Sequence, residues 1–163
     1  MKPNQLEQII KELHVEAYIW ARQCCNFQDW LAKDVLQQVY LKILENKAKF
    51  NGDSSLKTWL FSVIRYTAME NIKKELRVYP LEDGAEVRFD EDVKPEINHE
   101  KLIRQLPDKQ REVLLLVFYH GLTLEKASKV MGVHLGTART HYDRAKKNLK
   151  QLILKIKANE QSG

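Results

Sequence analysis

The sequence has little that could staple, coordinate or span. Only two of its 163 residues are cysteines, Cys24 and Cys25. Adjacent thiols cannot tie distant segments together, and they lack the spacing of a metal knuckle. A reducing compartment suits that usage. Six glycines and four prolines lie scattered along the chain, which excludes a collagen-like or low-complexity protein. No apolar run approaches the roughly 18 residues of a membrane span, and the opening MKPNQLEQII carries no apolar signal-peptide core. The expectation is a cytoplasmic protein with no direct membrane insertion. The histidines His14, His99, His120, His134 and His141 are dispersed, with no companion Cys/His ligand set and no glycine-rich phosphate loop. The sequence therefore points to no enzyme, no cofactor, no metal and no small-molecule substrate.

What is present is charge, unevenly spread over a chain that is 44% hydrophobic and so able to bury a core. Residues 1–78 carry 12 basic and 9 acidic groups, a balance of +3. Residues 79–99 reverse the sign to −5, with Glu82, Asp83, Glu86, Asp90, Glu91, Asp92 and Glu96 against Arg88 and Lys94. Residues 100–163 return to +7. Pro80, Gly84 and Pro95 break any helix in the acidic stretch, so the pattern is two basic helical modules joined by an acidic linker.

In the first module, Leu6, Ile9, Ile10, Leu13, Ala17, Trp20 and Cys24 recur at three- and four-residue steps. They predict a helix over about 5–26 with Cys24 on its buried stripe. A second helix is expected over 30–46, with Val35, Leu36, Val39, Tyr40, Ile43 and Leu44 apolar and Lys33, Asp34, Gln37, Gln38 and Lys42 on another face. Asn51-Gly52 is a turn pair, and Ser54 or Ser55 can cap a third helix reaching about Arg77. Leu56, Trp59, Leu60, Val63, Ile64, Thr67, Ala68 and Ile72 form its expected inner face. Lys73, Lys74 and Arg77 gather in its last turns, where complementing the helix dipole competes with binding phosphate.

The second module opens with a short helix over 100–105, and Leu106-Pro107 starts another that ends at His120-Gly121. Thr123 can cap a helix of about eight residues, Gly132 supplies the positive φ that stops it, and a long helix follows from about Leu135 to Lys157. A short helix, a glycine turn and a longer helix rich in Thr, Arg, His and Lys is the pattern of a helix-turn-helix. Leu135, Ala138, Tyr142, Ala145 and Leu149 are its expected buried face. Thr137, Arg139, Thr140, His141, Asp143, Arg144 and Lys147 are expected outside.

These segments resemble the extracytoplasmic-function (ECF, group IV) sigma factors of the sigma-70 family of bacterial RNA polymerase. DVLQQVYLKIL (34–44) is similar to the family's polymerase-binding helix, and SSLKTWLFSVIRYTAMENIKK (54–74) to its helix for promoter melting and minus-ten recognition. LPDKQREVLLLVFYHGLTLEKASKVMGVHLGTARTHYDRAKKNLK (106–150) resembles its C-terminal domain through the Leu-Pro start, Gln-Arg-Glu-Val, the Gly before Leu-Thr, and the Gly-Thr that opens the last helix. The resemblance implies an all-α protein of two small helical domains: sigma region 2 over 1–78, an acidic linker over 79–99, and sigma region 4 with its helix-turn-helix over 100–163.

The resemblance also implies partners and roles. Core RNA polymerase would meet Asp34, Gln37, Gln38 and Tyr40. A flipped base of the non-template strand needs a pocket that replaces its stacking and hydrogen bonds, which Phe50, Asn51, Asp53 and Ser54 could form, with Trp59, Tyr66, Lys73, Lys74 and Arg77 guiding the strand. His134, Thr137, Arg139, Thr140, Arg144 and Lys147 would read the minus-thirty-five element of promoter DNA. Lys33 and Gln38 stand where the family usually has acids, Tyr66 replaces an Asn and Glu70 an Asp. No sensor domain is visible, so regulation falls by default to a partner such as an anti-sigma factor. The rival reading is a stand-alone helix-turn-helix transcriptional regulator, which would bind duplex promoter DNA without polymerase.

Overall fold

The structure is a computed structural model that describes residues 3–78 and 99–161. The acidic stretch with Pro80, Gly84 and Pro95 lies outside the described residues. Every element within them is helical, and the chain divides into two compact units.

The first unit packs three helices, α1 (Pro3–Cys24), α2 (Asp29–Leu44) and α3 (Leu56–Val78), each against the other two. Its centre is Trp20, whose indole N–H donates to the Phe61 carbonyl at 3.0 Å. The two rings stack with centroids 5.6 Å apart, tilted by only 7°. Ala17 and Ala21 flank Trp20 on α1 and are fully buried with it, as are Val35 and Val39 of α2 and Leu60 and Ile64 of α3. Phe61, absent from the expected inner face of α3, is completely buried, whereas Trp59 and Val63 are only half-buried.

α1 stops where Asn26 and Phe27 both adopt positive φ, 54° and 62°. The Phe27 N–H closes onto the Arg22 carbonyl at 2.8 Å, capping the helix end. A left-handed Phe is costly, and here burial of its ring beneath the Arg22 guanidinium, 5.4 Å from the centroid, offsets the strain. This reversal also corrects the cysteine expectation. Cys25, in the turn, is fully buried, while Cys24 is half-buried. Burial pushes the Cys25 thiol up to about 12, with Glu75 and Asp34 adding to it, so the group is an inert core residue at neutral pH.

The second unit comprises α4 (His99–Arg104), α5 (Asp108–Leu114), α6 (Leu124–Met131) and α7 (Leu135–Gln161). Pro107 caps α5 from outside, and beyond Leu114 the helix loosens into a π-helical turn over Leu115–Tyr119 rather than continuing as α-helix. The turn keeps Leu115 and Leu116 inside and leaves Phe118 and Tyr119 exposed. The Thr123 hydroxyl accepts the Lys126 N–H at 3.2 Å to start α6. Gly132, at φ 67°, ends it, with the Val133 N–H returning to the Ser128 carbonyl at 3.1 Å. Ala127 and Ala138 are both fully buried, and small side chains allow α6 and α7 to cross closely. Leu106, Leu114 and Ala145 form a second cluster with Tyr142, Leu149 and Leu152 against it.

The Trp20–Phe61 pairing yields a contrast within one helix. Phe61→Ala should cost about 3–5 kcal/mol, through lost burial and a cavity beneath the indole. Tyr66→Ala, one and a half turns on, should cost under about 1 kcal/mol. Urea unfolding of both variants followed by circular dichroism measures the difference.

Candidate functional site

The residues expected at a polymerase contact fall on two sides of α2. Gln38 turns inward and exchanges a reciprocal pair of amide hydrogen bonds with Asn71 of α3, both 2.9 Å, while also donating to Asp34 at 3.0 Å. Gln38 is thus a brace between helices, not a solvated side chain. Gln37 and Tyr40 lie on the other side, where they join His14 and Tyr18 of α1 and Leu41 and Leu44 of α2 around an open, mainly apolar groove. Leu44 is 75% exposed, which separates it from Val35, Leu36, Val39 and Ile43, the buried members of the apolar set to which its spacing assigned it. Tyr40 is half-buried, with its hydroxyl 2.7 Å from His14 Nδ1. Burial pushes the phenol up to about 12, so it stays neutral and able to share a hydrogen bond at any physiological pH. Across the α1–α2 turn, Tyr18 and Arg22 both donate to Asp29 Oδ1 at 2.9 Å and hold that carboxyl below its usual range.

The loop between α2 and α3 is ordered by its own side chains. Asn51 Oδ1 accepts the Asp53 N–H at 3.2 Å, and Gly52 takes φ 84° between them. Ser55, not Ser54, caps α3, its hydroxyl accepting the Thr58 N–H at 3.2 Å. That leaves Ser54 half-buried beside exposed Asn51 and Asp53. Phe50 meets Trp59 with ring centroids 5.5 Å apart and a 58° tilt. The loop therefore places an aromatic step next to a short row of polar donors and acceptors.

From Trp59 the same side of α3 continues through Tyr66, Glu70, Lys73 and Arg77, because steps of seven, four, three and four residues keep to one face. Tyr66 is 64% exposed. Lys73, Lys74 and Arg77 are exposed, and none is ion-paired with another described residue. Sequence reasoning missed Lys42 of α2, which reaches across to this face and binds Thr67 Oγ1 at 3.0 Å and Glu70 Oε1 at 3.3 Å. Only the pairing of α2 with α3 reveals it, since periodicity along α2 places Lys42 with the solvated residues.

In the second unit, α7 buries Ala138 and Ala145 and turns Thr137, Arg139, Thr140, Arg144 and Lys147 outward, with His134 exposed just before it. The Thr140 hydroxyl donates to the Gly136 carbonyl at 3.0 Å, so its oxygen faces outward as an acceptor. Arg139 and Arg144 stand at opposite edges of this face, with Thr140 and Lys147 between them. Two details differ from expectation. Leu135 is 38% exposed because it opens the helix, one turn before Ala138 seals α7 against the unit, and His141 is half-buried at the margin of the core face.

Among the described residues no group of three or more His, Cys, Asp or Glu side chains could hold a metal ion, and no helix is long and apolar enough to cross a membrane.

Comparison with known proteins addresses both units. A family model described as Sigma-70 region 2 matches residues 9–78, and one described as Sigma-70, region 4 matches residues 100–149. The chain is 27% identical over 141 residues to RNA polymerase sigma factor YlaC of Bacillus subtilis, an alignment covering 79% of this chain and 81% of that protein. It is 28% identical over 128 residues to the ECF RNA polymerase sigma factor EcfG of Rhodopseudomonas palustris, covering 75% and 71%. Among solved structures, its fold is similar to the sigma factor RpoE of Bartonella quintana, crystallised with the anti-sigma factor NepR, with TM-score 0.77, 22% identity and 91% and 96% of the two chains covered. It is also similar to CnrH in complex with the cytosolic domain of CnrY, with TM-score 0.66, 17% identity and 93% and 89% covered.

The Gln38–Asn71 brace carries its own test. Gln38→Ala leaves Asn71 half-satisfied between two helices and should lower stability by about 1–2 kcal/mol. Thermal unfolding monitored by circular dichroism measures that loss, and Asn71→Ala should produce a similar one.

Proposed function

Since the chain belongs to the sigma-70 family, in its ECF branch, and as such binds core RNA polymerase and directs promoter recognition and transcription initiation, we propose how its residues divide that work. Region 2 occupies 1–78, the acidic linker 79–99 and region 4 100–163. Gln37 and Tyr40, with the groove they share with α1, form the contact to core polymerase, with Asp34 beside it. Gln38 supports that contact by holding α2 against α3. The loop residues Phe50, Asn51, Asp53 and Ser54 receive an unpaired minus-ten base, stacked by the aromatic step and hydrogen-bonded by the polar row. Trp59, Tyr66, Lys73, Lys74 and Arg77 carry the strand along α3. His134, Thr137, Arg139, Thr140, Arg144 and Lys147 dock α7 in the minus-thirty-five major groove. The protein works in the cytoplasm, has no catalytic activity of its own, and is held in check by an anti-sigma factor, a reading supported by the anti-sigma factor NepR crystallised with the similar RpoE.

One observation carries this assignment. A helical unit with an outward aromatic and basic helix face and a helix-turn-helix unit occur in one chain, in the order of the two matched regions. In vitro transcription with core polymerase and promoter fragments tests it. Initiation should require both core enzyme and this chain. Tight, specific duplex binding without core enzyme, and no initiation with it, would instead favour a stand-alone regulator.

Two predictions refine the roles. Gln37→Ala combined with Tyr40→Ala should weaken core binding at least tenfold, by analogy with loss of an interface hot spot, and unchanged affinity in a variant of normal melting temperature would remove the assignment. On α7, a bidentate Arg–guanine contact discriminates by about 1–3 kcal/mol, whereas a phosphate contact weakens all sequences alike. Arg139→Ala should therefore relax preference at one or two minus-thirty-five positions, and Lys147→Ala should lower transcription equally on every promoter variant. An equal loss on all variants for Arg139→Ala would reassign it to phosphate.

A further inference from the structure

Lys42 is the one cation of α2 built into the helix interface rather than left in solvent. The Thr67 hydroxyl spends its proton on the Val63 carbonyl at 2.8 Å, so its lone pairs face Lys42 Nζ at 3.0 Å. Thr67 is fully buried, and the ammonium is therefore anchored at a fixed point. From that point it reaches Glu70 Oε1 at 3.3 Å and sits 5.5 Å from the centroid of the Tyr66 ring. Both are outward residues of the α3 face. Without Lys42, Glu70 would present an uncompensated negative charge between Tyr66 and Lys73, where a phosphate backbone has to pass. The ring itself would lose the cation that favours its present position.

We propose that Lys42 is a positioning residue for promoter opening: anchored on Thr67, it holds the Tyr66 ring as a stacking platform for an unpaired base and cancels the charge of Glu70 on the face the strand follows. The inference rests on the reading above in which this face of α3 meets the non-template strand. Its chemistry gives two separable parts. Cancelling Glu70 is a through-solvent charge effect and fades as salt rises. Orienting the ring is a contact effect and persists.

The test uses the full chain with core polymerase on a promoter carrying 2-aminopurine in the minus-ten region of the non-template strand, where fluorescence follows base unstacking. Lys42→Met should slow opening about fivefold at low salt while core affinity stays at the wild-type level. Adding Glu70→Gln should remove the salt-dependent part of that defect and leave the rest. In a Tyr66→Leu background, Lys42→Met should retain only the part that Glu70→Gln removes. If Lys42→Met melts too readily to assemble, Lys42→Gln, which keeps a donor to Thr67 without the charge, carries the same expectations. Slow opening in Tyr66→Leu with a wild-type rate in both Lys42 variants would overturn the role of Lys42 and leave the α3 reading standing. Wild-type rates in Tyr66→Leu and both Lys42 variants would overturn the two together.

Discussion

The first unit depends on giving the Trp20 indole N–H an acceptor in a place with no water. An unpaired N–H there would cost on the order of 1–3 kcal/mol, against the large apolar area the ring buries. The Phe61 carbonyl supplies that acceptor and the Phe61 ring covers the indole face, so two contacts from one residue fix the rotation of α3 about its own axis. That rotation decides which α3 side chains reach solvent. Trp59 is two residues from Phe61, about 200° away on a helix, and Tyr66 and Arg77 repeat the Trp59 direction. An aromatic and basic face outside is thus a consequence of an aromatic pair inside.

α2 sits against both of its neighbours, and its polar residues are sorted accordingly. Toward α3 it sends Gln38 and Lys42, each satisfied by partners on that helix. Toward α1 it sends Tyr40, which meets His14. Between them, Leu41 and Leu44 remain uncovered. Exposed leucines flanked by satisfied polar groups are what a partner-binding helix needs: the polar contacts hold the helix in place, and the apolar edge is free to bury area on association.

Much of this was legible because local signals and tertiary packing agree. Ser55, Thr123 and Gly132 work at their helix ends as cap and stop chemistry requires, and Trp20, Val35, Val39, Ala138 and Ala145 fall on the faces their spacing predicts. The departures occur where a third element intervenes. Phe61 lies off the three-and-four-residue stripe drawn through Leu60 and Ile64, yet α1 and α2 together widen the buried face of α3 enough to take it in. Cys25 replaces Cys24 in the core because the chain reverses through two left-handed residues, which no periodic pattern encodes. Gln38 and Lys42 look like surface residues until their partners on α3 are known. At the candidate site, most of the outward face of α7 could be read from periodicity, with Leu135 and His141 as exceptions, whereas on α3 Trp59 was expected inside and instead opens the outward side, and the pairings that orient both faces could not be read at all.

Electrostatics explains why two such faces belong on one chain. Lys73, Lys74 and Arg77 on α3, and Arg139, Arg144 and Lys147 on α7, are exposed without ion-pair partners among the described residues. If each meets one phosphate, the affinity of the α7 face for duplex falls with roughly the third power of salt concentration and that of the α3 face for a single strand with about the second power. Contacts this few give weak binding at physiological ionic strength. Where two contacts belong to one chain, the second forms at an effective concentration set by the length between them, and the product of two weak affinities becomes a useful one only when both elements lie within reach. A protein built this way discriminates by spacing as well as by sequence. On the proposed division of roles, dependence on a larger enzyme follows from how few unpaired cations each of these two faces presents.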